Sequence, residues 1–246
     1  MAGTGRREDM RTIRISFIHM LGFVRRDMML LAAGVSPIFI GLVIRLGIPF
    51  SEKMLTEMTG LPYVLVPYFS LFDILYAAII PVIFCFITAM VMLEERDDHI
   101  DRYLFVTQLG RFGYYVSRVV LPAAFSFVVT AILLPACKLS DLSVLELLFL
   151  SLAGTLQGII IALLVVGFSA NKLEGMAVTK VSSLIMLGAL APYFIPGPYR
   201  YLLSFMPSFW IGMVITENQP IFMLVSVLVA ALWIVVLWKK VGRKNN

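Results

Sequence analysis

Residues 94 to 111 read EERDDHIDRYLFVTQLGR, which brings five acids, three arginines and a histidine into one short stretch. Clustered carboxylates can bind a divalent metal or work as general acid and base. Here the acids alternate with Arg96 and Arg102, and neither of the two histidines, His19 and His99, has a ligand-spaced partner. Cys85 and Cys137 lie far apart with no CxxC spacing, so neither a disulfide framework nor a cysteine metal site is expected. No Gly-Lys dipeptide occurs, which removes the glycine-rich GxxxxGK[ST] loop that cradles nucleotide phosphates. The charge is therefore read as a surface that meets something, and the elements that hold it come next.

Those elements are apolar. Of 246 residues, 60% are hydrophobic and only 14% charged, with a mean hydropathy of +0.94. Globular domains carry about a quarter charged residues, so the chain is read as an integral membrane protein. Apolar windows fall at about 28–48, 70–93, 114–136, 144–170, 178–195 and 220–238. Each is long enough to cross roughly 30 Å of hydrocarbon as a helix, the one single-segment structure that satisfies its own backbone in lipid. Pro37, Pro81, Pro122 and Pro192 lie inside these windows and are read as kinks. With no internal repeat and no low-complexity linker, residues 1–246 are expected to form one all-α membrane domain.

Lysines and arginines set the orientation. Sixteen of the twenty fall on one side; Lys53, Lys138 and Arg200 fall on the other, and Arg45 lies within a span. Both termini and the 94–113 loop are therefore expected in the cytoplasm. The basic N-terminal stretch is too long for a secretion signal and no A-x-A site follows the first apolar run, so it is kept in the mature protein. Along residues 1–27 and into the first window, Met10, Ile13, Phe17, Leu21, Val24 and Met28 recur every three or four residues, while Arg11, Arg14, Arg25 and Arg26 turn mostly away. That pattern predicts an amphipathic helix at the inner interface, with its arginines reaching lipid phosphates. On the outer side, residues 196–219 are too polar at their ends to cross and suit short helices re-entering or lying along the leaflet, or a plain aromatic belt.

Inside the charged stretch, Ile100, Tyr103 and Leu104 share one helical face, which predicts a short amphipathic helix over about 97–105 lying across the base of the domain. The order acid, Arg96, acid, then Leu104, Thr107, a turn, Arg111, Tyr114 or Tyr115, and Arg118 resembles the coupling-helix region of type-two ABC transporter permeases. His99 stands where that family commonly has Gly, and Gln108 where it has Pro. The NKLEGMAVTK segment with Lys172, Glu174 and Gly175 is similar to a cytoplasmic loop of the drug-export permeases in that family, and MPSFW is similar to its Pro-x-x-Trp element.

The resemblance implies a permease without enzymatic activity of its own and without a cofactor. ATP and Mg would be handled by a separate cytoplasmic ATPase, in two copies, with a second permease chain, identical or a sister, beside this one in the bacterial cytoplasmic membrane. Nucleic acid is not an expected partner. By the same resemblance Glu94, Glu95, Arg96, Asp97, Asp98, Asp101, Arg102, Leu104 and Arg111 form the ATPase-coupling region, with Arg102 and Arg111 meeting the ATPase. The implied cargo is a drug-like or amphipathic compound moved outward; an antimicrobial peptide, lipid or glycan precursor remains open. A membrane-bound lipid-modifying enzyme would need convergent acids or histidines near one leaflet, and the only such density is the coupling-like loop.

Two further expectations concern the spans. Arg45 and Asp73, both near outer span ends, are candidates for an ion pair at an outer gate, or for separate snorkelling to the interface. Met90, Met92, Met186, Phe84 and Phe86 suit either a repacking cargo wall or ordinary helix packing.

Overall fold

The computed structural model describes residues 2–217 and 219–244; the side chains of residues 2–9, 243 and 244, among them Arg6, Arg7, Arg243 and Lys244, lie outside that description. The described chain is helical with no strand. In chain order it comprises α1 (Ala2–Arg26), α2 (Met28–Thr59), α3 (Phe69–Asp97), α4 (Ile100–Val106), α5 (Gly110–Cys137), α6 (Val144–Phe168), α7 (Lys172–Phe194), α8 (Pro207–Glu217) and α9 (Pro220–Lys244). Six of these, α2, α3, α5, α6, α7 and α9, are long and apolar enough to cross a membrane.

The helices overrun the apolar windows. At 32 residues, α2 is about 48 Å long, well beyond about 30 Å of hydrocarbon. Its last turns continue past residue 48 to Thr59, where Gly60 in the left-handed region (φ 66°) ends it. Glu52 on this extension accepts the Val64 and Leu65 amides at 2.9 and 2.6 Å, folding the following loop back along the helix.

The prolines are accommodated within helices. Pro37 cannot donate to the Ala33 carbonyl, and the Ser36 hydroxyl does so instead at 2.7 Å. Pro122 follows a π-helical turn over Val116–Val120, where the wider backbone makes room for its ring. The segment α7 is α-helical only to Ser182; Ser183–Leu190 is 3₁₀ and Ala191–Phe194, which holds Pro192, returns to α.

The centre of the bundle is α3 against α6, the two most buried spans. Glycines at Gly154 and Gly158, four apart on α6, make that approach possible. A Cβ at Gly154 would collide with the Ala77 carbonyl, and one at Gly158 would sit 2.8 Å from the Pro81 carbonyl oxygen. Pro81 lacks the N–H that would have paired with Ala77, so this freed carbonyl is the one Gly154 packs against. Buried hydroxyls in the spans bond back to their own helix: Ser126 to the Ala123 carbonyl, Thr130 to Ser126 and Thr155 to Ser151.

Around this pair lie α2, α5, α7 and α9. Leu31, Ile38 and Leu42 on α2 and Leu224, Leu228 and Leu232 on α9 are exposed, as suits lipid-facing surface. Residues 196–217 form a 3₁₀ turn over Gly197–Leu203 and then α8, whose Phe209 and Met213 are buried against Ala191. Trp210 donates to the Ser204 carbonyl at 2.8 Å.

Candidate functional site

The charged stretch is an elbow between α3 and α5. Glu94, Glu95, Arg96 and Asp97 lie in the last turn of α3, so the expected loop begins only at Asp98. The helix stops at His99, whose backbone is left-handed with φ 58°. A β-carbon is disfavoured there, and this is the position where a glycine is common in the family that the sequence resembles. After it, α4 makes two turns. Thr107 ends them, its hydroxyl donating to the Leu104 carbonyl at 2.8 Å, and Gly110 (φ 62°) turns the chain into α5.

Glu95 is buried and holds the elbow. Its carboxylate accepts from Arg118 Nε at 3.1 and 3.2 Å, from Arg118 Nη2 at 2.5 Å and from the Tyr114 hydroxyl at 2.9 Å. Arg118 Nη1 donates onward to the Ser16 carbonyl and hydroxyl at 3.0 and 3.1 Å. One buried network thus joins α1, α3 and α5. Charge-assisted, bidentate bonds of this kind are strong and directional.

Glu94, Arg96 and Asp97 make a second set of ties. Arg96 Nη1 donates to the Val166 and Ser169 carbonyls, both at 3.1 Å, capping the C-terminus of α6 where carbonyls lack helical partners. Lys172 Nζ sits between Glu94 at 2.5 Å and Asp27 at 3.2 Å, while the Lys172 amide donates to Asp97 at 3.0 Å. Asp27 is also the N-cap of α2, accepting from the Met29 and Leu30 amides. The Leu30 amide above all holds its carboxyl below the usual range; burial opposes this, and the Lys172 ammonium and the Met29 amide add to the lowering.

The expected loop around Lys172, Glu174 and Gly175 is the first turn of α7. Asn171 caps it, accepting the Glu174 amide at 2.9 Å, while Glu174 accepts the Ala170 amide at 2.7 Å. Gly175 is buried where a β-carbon would collide with Leu93 and crowd Met90 of α3. All three residues lie in a turn clamped to the end of α3 rather than in a free loop.

The face of α4 differs from the expected one. Asp101 is buried and Leu104 and Phe105 are half-buried, whereas Ile100 and Tyr103 face out. Asp101 accepts the Arg102 amide at 2.8 Å. The shift follows from the start at His99: the left-handed residue sets the rotation of a two-turn helix, and hydropathy alone does not. Arg102 is exposed, with Tyr103 (73%), Val106 (85%) and, just beyond, Phe112 (80%) beside it. Arg111 is exposed and lies over the Phe105 ring, 5.7 Å from its centroid.

At the opposite end of the bundle, Arg45 and Asp73 are not joined to each other. Asp73 is fully buried and accepts the Leu139 and Ser140 amides, each at 2.9 Å, and the Ser140 hydroxyl. Arg45 Nη1 donates to the Ala136 carbonyl at 2.8 Å. Both therefore hold the turn that follows α5, one through its amides and the other through its last carbonyls. Backbone groups at a helix end offer full-strength partners without the entropy of ordering a second long side chain.

Met90, Met92 and Phe86 lie in or against the core of the α3–α6 region, and Phe84 packs edge-to-face on Phe125. Ser16 and Asp27 were not singled out in the sequence, and Tyr114 entered only as one of two tyrosines in the motif order. An N-cap pattern signals Asp27, but nothing local signals Ser16. Gln157, buried in α6, has neither amide atom hydrogen-bonded among the described residues. Among those residues no three His, Cys, Asp or Glu side chains are placed to hold a metal ion.

These features define a multi-pass, all-helical membrane protein whose charged elbow is locked onto the ends of its central helices, an architecture suited to a transporter's membrane subunit. The chain belongs to the Rv2686c-like family, described as fluoroquinolones export permease protein, whose model matches residues 21–238. No curated protein and no solved structure matches the chain.

Proposed function

We propose that this chain is the permease subunit of an ATP-binding-cassette exporter, driven by a separate cytoplasmic ATPase that docks on α4. The observation that carries the reading is the division of labour in the elbow. The outer face of α4 presents Arg102, Tyr103 and Val106, an arginine and an aromatic of the kind that anchor protein interfaces. Beneath it, Glu95, Arg118 and Lys172 tie the same elbow to α1, α2, α5 and α7. A push on α4 would therefore pass through the turns at His99 and Gly110 into α3 and α5.

The excess of lysine and arginine on the elbow side supports its placement in the cytoplasm, with both termini. Two permeases, identical or sister chains, and two ATPase copies would form the working assembly, with ATP and Mg on the ATPases. The cargo is read as a drug-like amphipathic compound, in keeping with the family's description.

The test is affinity purification of the full chain from native membranes in mild detergent, with identification of co-purifying chains and an ATPase assay. A stoichiometric ATPase that is lost on Arg102→Glu or Tyr103→Ala, with the permease still monodisperse, supports the docking face. Recovery of the permease alone in several detergents overturns it.

A further inference from the structure

Two cavities flank α1, and their charges are opposite. The one toward the elbow, about 380 Å³, is bordered by Glu94, Glu95 and Asp98 together with Arg118. On the other side a groove of about 850 Å³ runs between α1 and the start of α5, with Arg11 and Arg14 at its rim and Ile13, Phe17, Val116 and Leu121 in its wall. Among the described residues no acidic side chain lines this groove. Among the described residues neither arginine forms an ion pair.

We propose that this groove is a binding site for one anionic phospholipid, its headgroup phosphate held by Arg11 and Arg14 and its acyl chains laid over Phe17, Val116 and Leu121. The two arginines are three residues apart and so share one edge of α1. Guanidinium groups match phosphate geometry with paired donors. The wall below them is apolar, and its Val116 and Leu121 belong to the end of a membrane span, which places headgroup-seeking charge directly over chain-seeking surface. A soluble anion would satisfy the arginines but leave that wall wet. The acidic cavity across the helix repels the same ligand, which confines it to one side of α1.

The site has a consequence for the elbow. Ile13 and Phe17 pack against the core, and Ser16 on the same turns accepts from Arg118. A lipid seated in the groove presses α1 onto the Glu95–Arg118 network and steadies it. The α1 wall precedes residue 21, where the family match begins. The binding does not depend on the exporter reading; only the assignment to the inner leaflet does.

The experiment uses the full chain in lipid nanodiscs of phosphatidylcholine with phosphatidylglycerol, released into mild detergent and examined by native mass spectrometry. One phosphatidylglycerol per chain is expected to be retained in preference to phosphatidylcholine. Arg11→Gln with Arg14→Gln should weaken retention about 25-fold, the product of about fivefold for each arginine at a membrane surface. Arg25→Gln with Arg26→Gln removes equal charge outside the groove and should retain the lipid. If the glutamine pair is not monodisperse, Arg14→Gln alone is read for its fivefold share. Equal loss in the Arg25/Arg26 pair would show bulk attraction only and overturn the site, as would equal retention of phosphatidylcholine. Displacement by millimolar glycerol phosphate would mark a free-phosphate site and overturn the lipid assignment.

Discussion

Glu95 at the end of α3 and Arg118 at the start of α5 face each other through a two-pronged ion pair, with side chains only 11% and 4% exposed. Removing one partner leaves the other buried and uncompensated, at a cost of about 3–5 kcal/mol. Arg118→Met and Glu95→Leu should each lower the thermal midpoint of the purified chain sharply, and the double variant should lose less than the sum. Additive losses in that double-mutant cycle would mean the pair is not coupled.

Arg45 and Asp73 give the contrary expectation. Each holds the turn after α5 and not the other, so exchanging them as Arg45→Asp with Asp73→Arg should rescue nothing. Asp73→Ala strands two amides, at about 1–3 kcal/mol apiece if they stay dry. Cysteine labelling at Ser140, read as accessibility, should rise in the Asp73 variant. Recovery of stability in the exchanged pair would revive a direct contact.

His99 holds a left-handed backbone that costs an L-residue about 1–2 kcal/mol. His99→Gly should therefore fold as well as the parent or better, and His99→Val should be clearly less stable. Thermal melts of the three chains rank them; a glycine variant that falls below the valine variant would contradict the turn.

Gly154 sits on the Ala77 carbonyl. Gly154→Ala forces α3 and α6 apart or strains them, a cost of about 1–3 kcal/mol. Gly22→Ala, where a β-carbon meets nothing within 4 Å, is the control, and it should be neutral in the same unfolding assay.

Gln157 has an unpartnered amide in the middle of the bundle, and such a group is expensive to bury. Gln157→Leu should raise the thermal midpoint. If that stabilised chain also exports poorly once cargo is known, the amide serves a state other than this one; a lower midpoint would show that it is satisfied by water or lipid.

The spans were legible in the sequence because hydropathy is local and additive: a window of twenty apolar residues states its own preference, whatever packs beside it. The left-handed turn at residue 99 was half-legible, since the family resemblance put glycine there and this chain has histidine. The position of the elbow was legible for the same local reason, because charge has nowhere else to go in this chain.

What the charges hold was decided only in three dimensions. Glu95 meets Arg118, which donates onward to Ser16, so that three helices are joined, and Lys172 meets Asp27 and Glu94 from three separate parts of the chain. Pairing depends on how close and how rotated helices are, which rests on contacts such as Gly154 on Ala77 and Gly175 on Leu93. The face of α4 turned for this reason: a two-turn helix has too few residues to choose its own rotation, so the backbone at His99 and the burial of Asp101 and Leu104 chose it. Arg45 and Asp73 both meet the turn after α5, yet their opposite charges did not decide their partners. The unpaired backbone groups at the end of α5 did, because a helix terminus needs partners as much as a charge does.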